Sequence, residues 1–355
     1  MIKNEIENKI LNVRRRPANM RKILKVGKPL SATYSHSAHT LSILAAEDDN
    51  KGWLLNCFVQ LFGDRCDFLD YQDFGFMECP IIDTQHIGID MVDIGWKSRI
   101  DFIKMAIIND YYVYAELNTS KIKAYGQSVV FAHDALIYGF DEENKQFLIA
   151  DFFQHKKYGN TWIEEDELKN AIYMDEGCFG KTGIFNNEIF LLKPHKKTEA
   201  IFSNEKVRET LGLYESGKPL LLGYNNRFKP LYPSEKNKYL YGINCYQMIY
   251  EMIENAKIEK NLPIRWRQVI YLFYEHKKIM CERLCYMGEN NYLKNSQTYI
   301  NMYQYIEKNM ETILCLFIKY SLTYDEKILK RILEIIEKVN KDEKNILPDL
   351  IGDIR

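Results

Sequence analysis

The chain has 355 residues, 46% hydrophobic and 27% charged, with a formal net charge of −1. At roughly 100–200 residues per domain this predicts about two domains with an ordinary core, and it excludes a disordered, collagen-like or purely coiled-coil chain. The near-neutral balance argues against broad nucleic-acid binding, and no apolar run approaches the roughly 18–20 residues of a membrane span.

The start, MIKNEIENKILNVRRRP, has no apolar signal segment. Eight cysteines are too few for a disulfide scaffold, so reduced thiols in a cytoplasmic setting are expected. The charge is unevenly spread. Residues 1–30 carry nine Lys/Arg and two Glu, or +7; the rest carries 39 basic and 47 acidic residues, or −8. The cluster Arg14, Arg15, Arg16, Arg21 and Lys22 forms a basic N-terminal arm or short helix ending near Gly27-Lys28-Pro29. It reads either as a solvated face or as a docking patch for an acidic partner.

Within 31–50 the stretch TYSHSAHTLSIL alternates and predicts a strand. A turn follows at Asp48–Gly52. A buried helix is then expected from Asn56, a good N-cap residue, to Gly63. Residues 98–109 (SRIDFIKMAIIN) predict a helix, and the aromatic, β-branched run Tyr111–Leu117 a strand. Ser128–Phe140 and Gln146–Phe153 read as a hairpin turning at Asp141–Asn144. Thr161 with Glu164 predicts a capped helix from Trp162 to Tyr173, and Glu188–Lys193 another strand. Beyond residue 200 apolar residues recur at helical spacing over 239–256, 264–286, 294–320 and 325–340. In the second of these Val269, Leu272, Phe273, His276, Met280 and Leu284 share one stripe. The organisation is an α+β domain over 31–200 and a helical domain over 201–355.

Metal and nucleotide chemistry find little support. There is no Cys-x-x-Cys and no His-Glu-x-x-His, and Cys281 and Cys285 lack a second pair at zinc-finger spacing. His36 and His39 could share a surface as ligands. Gly180-Lys181-Thr182 resembles the end of a phosphate loop, but Asp175 stands where the first glycine belongs.

Nucleophilic catalysis fares better. A cysteine nucleophile needs its thiolate favoured, as at a helix N-terminus, and a histidine to take the proton. Cys57 stands at the expected helix start; its plain alternative is a buried apolar cysteine. In the hairpin, a turn centred near 142–143 makes paired residues sum to about 284–285, which sets His133 opposite Asp151 or its neighbour. Asp151 can then orient the imidazole. Asp134 points to the other face and is rejected as the orienter. The plain readings are a satisfied core histidine and a turn aspartate.

These residues carry a resemblance. Tyr111–Phe153 (YYVYAELNTSKIKAYGQSVVFAHDALIYGFDEENKQFLIADFF) resembles the core of the butirosin-biosynthesis acyltransferase family, papain-like cysteine-protease homologues of natural-product clusters. Leu54–Gly75 resembles its nucleophile region and Arg265–Tyr286 its Tyr-Glu-His-Lys helix. Within that group the chain looks most like the amide-forming homologues of closthioamide-type thioamide biosynthesis. The resemblance implies a papain-like fold with Cys57 as nucleophile, His133 as base and Asp151 as orienter. It implies amide formation from a thioester carried on the phosphopantetheine arm of an acyl or peptidyl carrier protein, with a small-molecule amine as acceptor and no resident cofactor or metal. One departure stands out: papain-like peptidases often place an oxyanion-hole glutamine six residues before the cysteine, and here that residue is Lys51. The donors would then be the Cys57 N–H and a side chain such as Asn56 or Gln60. A peptidase or amidase with the same triad, and a non-catalytic partner-binding homologue, are the alternatives.

Overall fold

The computed structural model describes residues 19–64, 68–74, 79–154, 157–172, 188–195, 201–220, 239–258 and 264–355. In chain order the elements are β1 (Arg21–Ile23), α1 (Ser35–Leu44), α2 (Lys51–Leu54), β2 (Leu61–Asp64), β3 (Leu69–Tyr71), β4 (Ile82–Gly88), α3 (Ile89–Gly95) and α4 (Arg99–Ile108). Then follow β5 (Tyr112–Asn118), β6 (Ala132–Asp141), β7 (Gln146–Phe152), β8 (Tyr158–Glu164), α5 (Glu165–Ile172), β9 (Glu188–Pro194) and α6 (Asn204–Ser216). The chain closes with β10 (Tyr239–Tyr241), α7 (Tyr246–Ile258), α8 (Ile264–Glu289), α9 (Ser296–Thr323) and α10 (Glu326–Asp353). The class is α+β, every described strand pair is antiparallel, and none of the described helices is long and apolar enough to cross a membrane.

Two compact units form, Met1–Ala46 with Pro80–Lys197, and Glu47–Cys79 with Thr198–Arg355. The first holds a sheet in the order β4-β9-β5-β6-β7-β8, with β1 added to β6. Its central strands are buried on both faces, through Val113, Tyr114, Leu136, Ile137, Ile189 and Phe190. That explains why they read as unbroken apolar runs. On α4, Ser98 caps the first turn by accepting from the Asp101 N–H at 3.1 Å, and Phe102, Ile103 and Ile107 are buried.

The second unit pairs β10-β2-β3 and packs them with α6 to α10. A fully buried ion pair lies in its core. Lys277 Nζ is 2.7 Å from both carboxylate oxygens of Glu343 and 2.8 Å from the Tyr214 hydroxyl. Tyr246 and Tyr303 donate to the same carboxylate at 2.6 and 3.1 Å. A buried pair is tolerable because its remaining lone pairs and protons are satisfied.

Several local expectations are corrected. Ser35–Leu44 is a helix, not a strand. Its polar residues mimicked a solvent face, but Ser37, His39, Thr40 and Ser42 are buried, with Ser42 donating to the Ala38 carbonyl at 2.7 Å. The helix expected over Asn56–Gly63 does not form. The short α2 ends before it, and Leu61–Asp64 is a strand. Phe58 takes a left-handed φ of 64°, and the Asp73 carboxylate accepts the N–H groups of Phe58, Val59 and Gln60 at 3.0, 2.9 and 3.3 Å. Gly63 is no helix stop: it lies in β2, where a Cβ would meet Met248 Sδ at 2.4 Å and the Phe68 carbonyl oxygen at 3.0 Å.

Residues 161–164 belong to β8, paired as Thr161↔Ile149 and Trp162↔Leu148, and the helix starts four residues later than Thr161. Residues 239–241 open as a strand before α7. Of the basic arm, Arg21 and Lys22 lie in β1, where Arg21 sits 3.6 Å from Asp141. Arg14–Arg16 and the 180–182 motif lie outside the described residues. Residues 47–79, placed by sequence in the 31–200 domain, cluster with the C-terminal helices, and β2 pairs β10.

Candidate functional site

In the first unit β6 and β7 bring His133 and Asp151 together. His133 Nδ1 lies 2.8 Å from Asp151 Oδ2. The register differs from the sequence estimate: Leu136 pairs with Ala150, and a bulge at Tyr138 shifts the ladder before Gly139↔Leu148. His133 therefore meets Asp151 along the diagonal, not directly opposite. The face survives because side chains alternate with period two, so a slip of two residues leaves both on one side.

Asp151 is fully buried, and its Oδ2 also accepts from Tyr125. Its Oδ1 has no hydrogen-bond partner among the described residues. The His133 side chain keeps 27% exposure. Burial, the largest influence on His133, disfavours the imidazolium; the hydrogen bond and charge of Asp151, with help from Asp134, outweigh it and push the pKa up to about 9. Because Nδ1–H donates to the carboxylate, Nε2 is the nitrogen left to exchange a proton with a substrate.

Asp134 is more involved than its rejection by strand parity implied. Its backbone oxygen lies 3.1 Å, and its Oδ1 3.9 Å, from His133 Nδ1. The carboxylate accepts from Ser35 at 2.8 Å and from Tyr114. Burial works against its ionised form, but His133, His39 and these two hydroxyls hold its pKa below the usual range. His39, on α1, is fully buried, with Nδ1 3.0 Å from the Tyr158 hydroxyl and Nε2 3.2 Å from the Asp134 carbonyl. Both its nitrogens are engaged inside, so His39 is not free to pair with His36 as a metal ligand. Among the described residues no cluster of three or more potential ligands could hold a metal ion.

Cys57 belongs to the second unit. It follows the C-terminal end of α2, and its N–H donates to the Leu54 carbonyl at 3.1 Å. The helix N-terminus expected to favour its thiolate is absent. The thiol is 2% exposed, and burial pushes its pKa up to about 12 against the opposing pull of Lys206. The segment is held from inside by Arg283, which is fully buried and donates to the Leu55 and Cys57 carbonyls at 2.8 and 2.5 Å. His276 lies 2.9 Å from the Val59 carbonyl, and burial keeps its ring neutral.

The expected oxyanion donors are likewise committed. The Cys57 N–H is taken by Leu54. Asn56 donates to the Ile201 carbonyl at 2.7 Å and accepts from the Ser203 N–H at 2.8 Å. Gln60 donates to the Lys218 carbonyl at 2.5 Å and accepts from the Leu61 N–H at 3.2 Å.

Sequence reasoning missed Tyr125, Asp73, Lys206 and Arg283. For Arg283 a signal existed: it lies seven residues after His276 on the buried stripe that includes Met280 and Met287. A cation on an apolar helix face marks a buried job. Asp73 and Lys206 carry no local signal, since their partners are 13 or more residues away. No family model and no curated protein matches the chain.

Proposed function

We propose that the chain is a cysteine-dependent acyltransferase with a papain-like arrangement, moving an acyl group from a carrier-protein thioester to an amine. The observation that carries this reading is the His133–Asp151 pair: a partly exposed imidazole held at Nδ1 by a fully buried carboxylate at 2.8 Å. A partly exposed imidazole whose pKa a buried carboxylate raises this far marks a candidate functional site.

In the proposed reaction the Cys57 thiolate attacks the thioester carbonyl. The carbonyl–sulfur bond to the phosphopantetheine arm breaks, and the departing sulfur takes the Nε2 proton of the His133 imidazolium, the form its raised pKa maintains. An amine then attacks acyl-Cys57, the now neutral Nε2 accepts its proton, and the Cys57 sulfur leaves as the thiolate. The first exchange is nearly balanced and the second is downhill, so neither needs ATP or a cofactor. The reading demands that Cys57 and His133 act on one acyl group.

A second reading has its own support. The neutral Cys57 thiol and the committed donors around it suit a non-catalytic partner-binding chain. Incubation with an acyl-carrier thioester and an amine separates the two. Intact-mass detection of acyl-Cys57, and loss of amide with Cys57→Ala and with His133→Ala, is the expected result. Amide formation at the wild-type rate by Cys57→Ala refutes the mechanism. Absence of both acyl-enzyme and amide with the wild type leaves the binding reading, and cleavage of peptides in a parallel reaction points to a peptidase.

A further inference from the structure

We infer that Lys206 is the cation that stabilises the Cys57 thiolate, so that the thiol is activated by a lysine ammonium within its own unit. The inference rests on the reading of Cys57 as nucleophile and adds a positioning residue to it.

The geometry is built independently of the contact itself. Ser203 caps α6 by accepting the Lys206 N–H at 3.2 Å. The Ser203 N–H in turn donates to Asn56 Oδ1 at 2.8 Å, and Asn56 Nδ2 donates to the Ile201 carbonyl at 2.7 Å. The residue before Cys57 is thus clamped on both sides to the chain that starts α6. One helical turn on, Lys206 Nζ lies 4.0 Å from Cys57 Sγ.

The charged and titratable groups facing the thiol are Lys206 from α6, Arg283 from α8, Asp73 from the segment after β3, and Cys79. Arg283 spends its guanidinium on two carbonyls and on Met280 Sδ. Asp73 spends its carboxylate on three backbone N–H groups. Among the described residues Lys206 is the one whose ammonium reaches the sulfur. After burial, it is also the strongest influence on Cys57, and it favours the charged form. An opposite charge within about 4–6 Å lowers a thiol pKa by roughly 1–3.

The test needs no acyl substrate. Full-length protein is treated with iodoacetamide across the range from about pH 6 to 11, and carbamidomethylation of the Cys57 peptide is timed by mass spectrometry. The reaction consumes the thiolate, so its rate follows the thiolate fraction. Replacing the cation by Lys206→Met or Lys206→Gln is expected to slow Cys57 at least about tenfold at a given pH below its midpoint, the equivalent of one pH unit. Lys206→Arg is expected to stay within about threefold of the wild type, since it keeps the charge. Unfolding exposes the thiol and accelerates labelling, so a damaged variant moves the rate in the opposite direction. Superposed profiles for wild type and Lys206→Met overturn the inference. That result does not bear on whether Cys57→Ala abolishes amide formation, so the two claims fail separately.

Discussion

Asp151→Asn is the perturbation that reads the candidate site most directly. Asparagine keeps the volume and an oxygen to accept from Tyr125 and His133, and removes only the charge. The His133 pKa stands at about 9 against its ordinary 6.5, and the difference corresponds to about 3 kcal/mol. The folded-state value is the raised one. This stabilisation is therefore fully present below pH ~6.5 and is lost as pH rises through about 9. In Asp151→Asn, burial is opposed only by Asp134, and the midpoint is expected to fall to about 6.5 or lower. Histidine proton NMR titration, assigned with His133→Gln, measures both midpoints. The stability gap between wild type and Asp151→Asn should be about 3 kcal/mol at pH 6, or roughly 6–12 °C in Tm, and should shrink markedly by pH 10. A wild-type midpoint near 6.5, or a gap of equal size at both pH values, refutes the reasoning.

Two further variants test what holds the second unit. Arg283→Met leaves the Leu55 and Cys57 carbonyls without their buried donor and is expected to cost about 2–5 kcal/mol in urea unfolding. A change under about 0.5 kcal/mol would mean those carbonyls find other partners. Lys277→Met strands the buried Glu343 carboxylate on its tyrosine hydroxyls and is expected to cost about 3–5 kcal/mol, most of it recovered in Lys277→Met/Glu343→Leu. A double variant as unstable as the single one would show that the ion pair itself, and not the unpaired charge, carries the energy.

The sequence by itself determined the α+β class, the strands around Tyr112–Asn118, Ala132–Asp141, Gln146–Phe152 and Glu188–Pro194, and the long helices from Ile264 onward. These are elements whose apolar pattern repeats over many residues. It also placed His133 and Asp151 on one face, because strand parity tolerates a register error of two. What only the tertiary structure decided lies where polar groups are satisfied from afar. Ser35–Leu44 is a helix because the polar side chains that looked like a solvent face find buried partners, His39 among them with Tyr158, 119 residues away. The Cys57 segment is not a helix because Asp73 draws off the backbone donors that a helix would use. Its immediate surroundings come from Lys206 and Arg283, 149 and 226 residues along the chain. Local spacing encodes neither the distance nor the direction of such partners. The thiol's environment was therefore beyond the reach of pattern, while the His–Asp pair, one hairpin long, was within it.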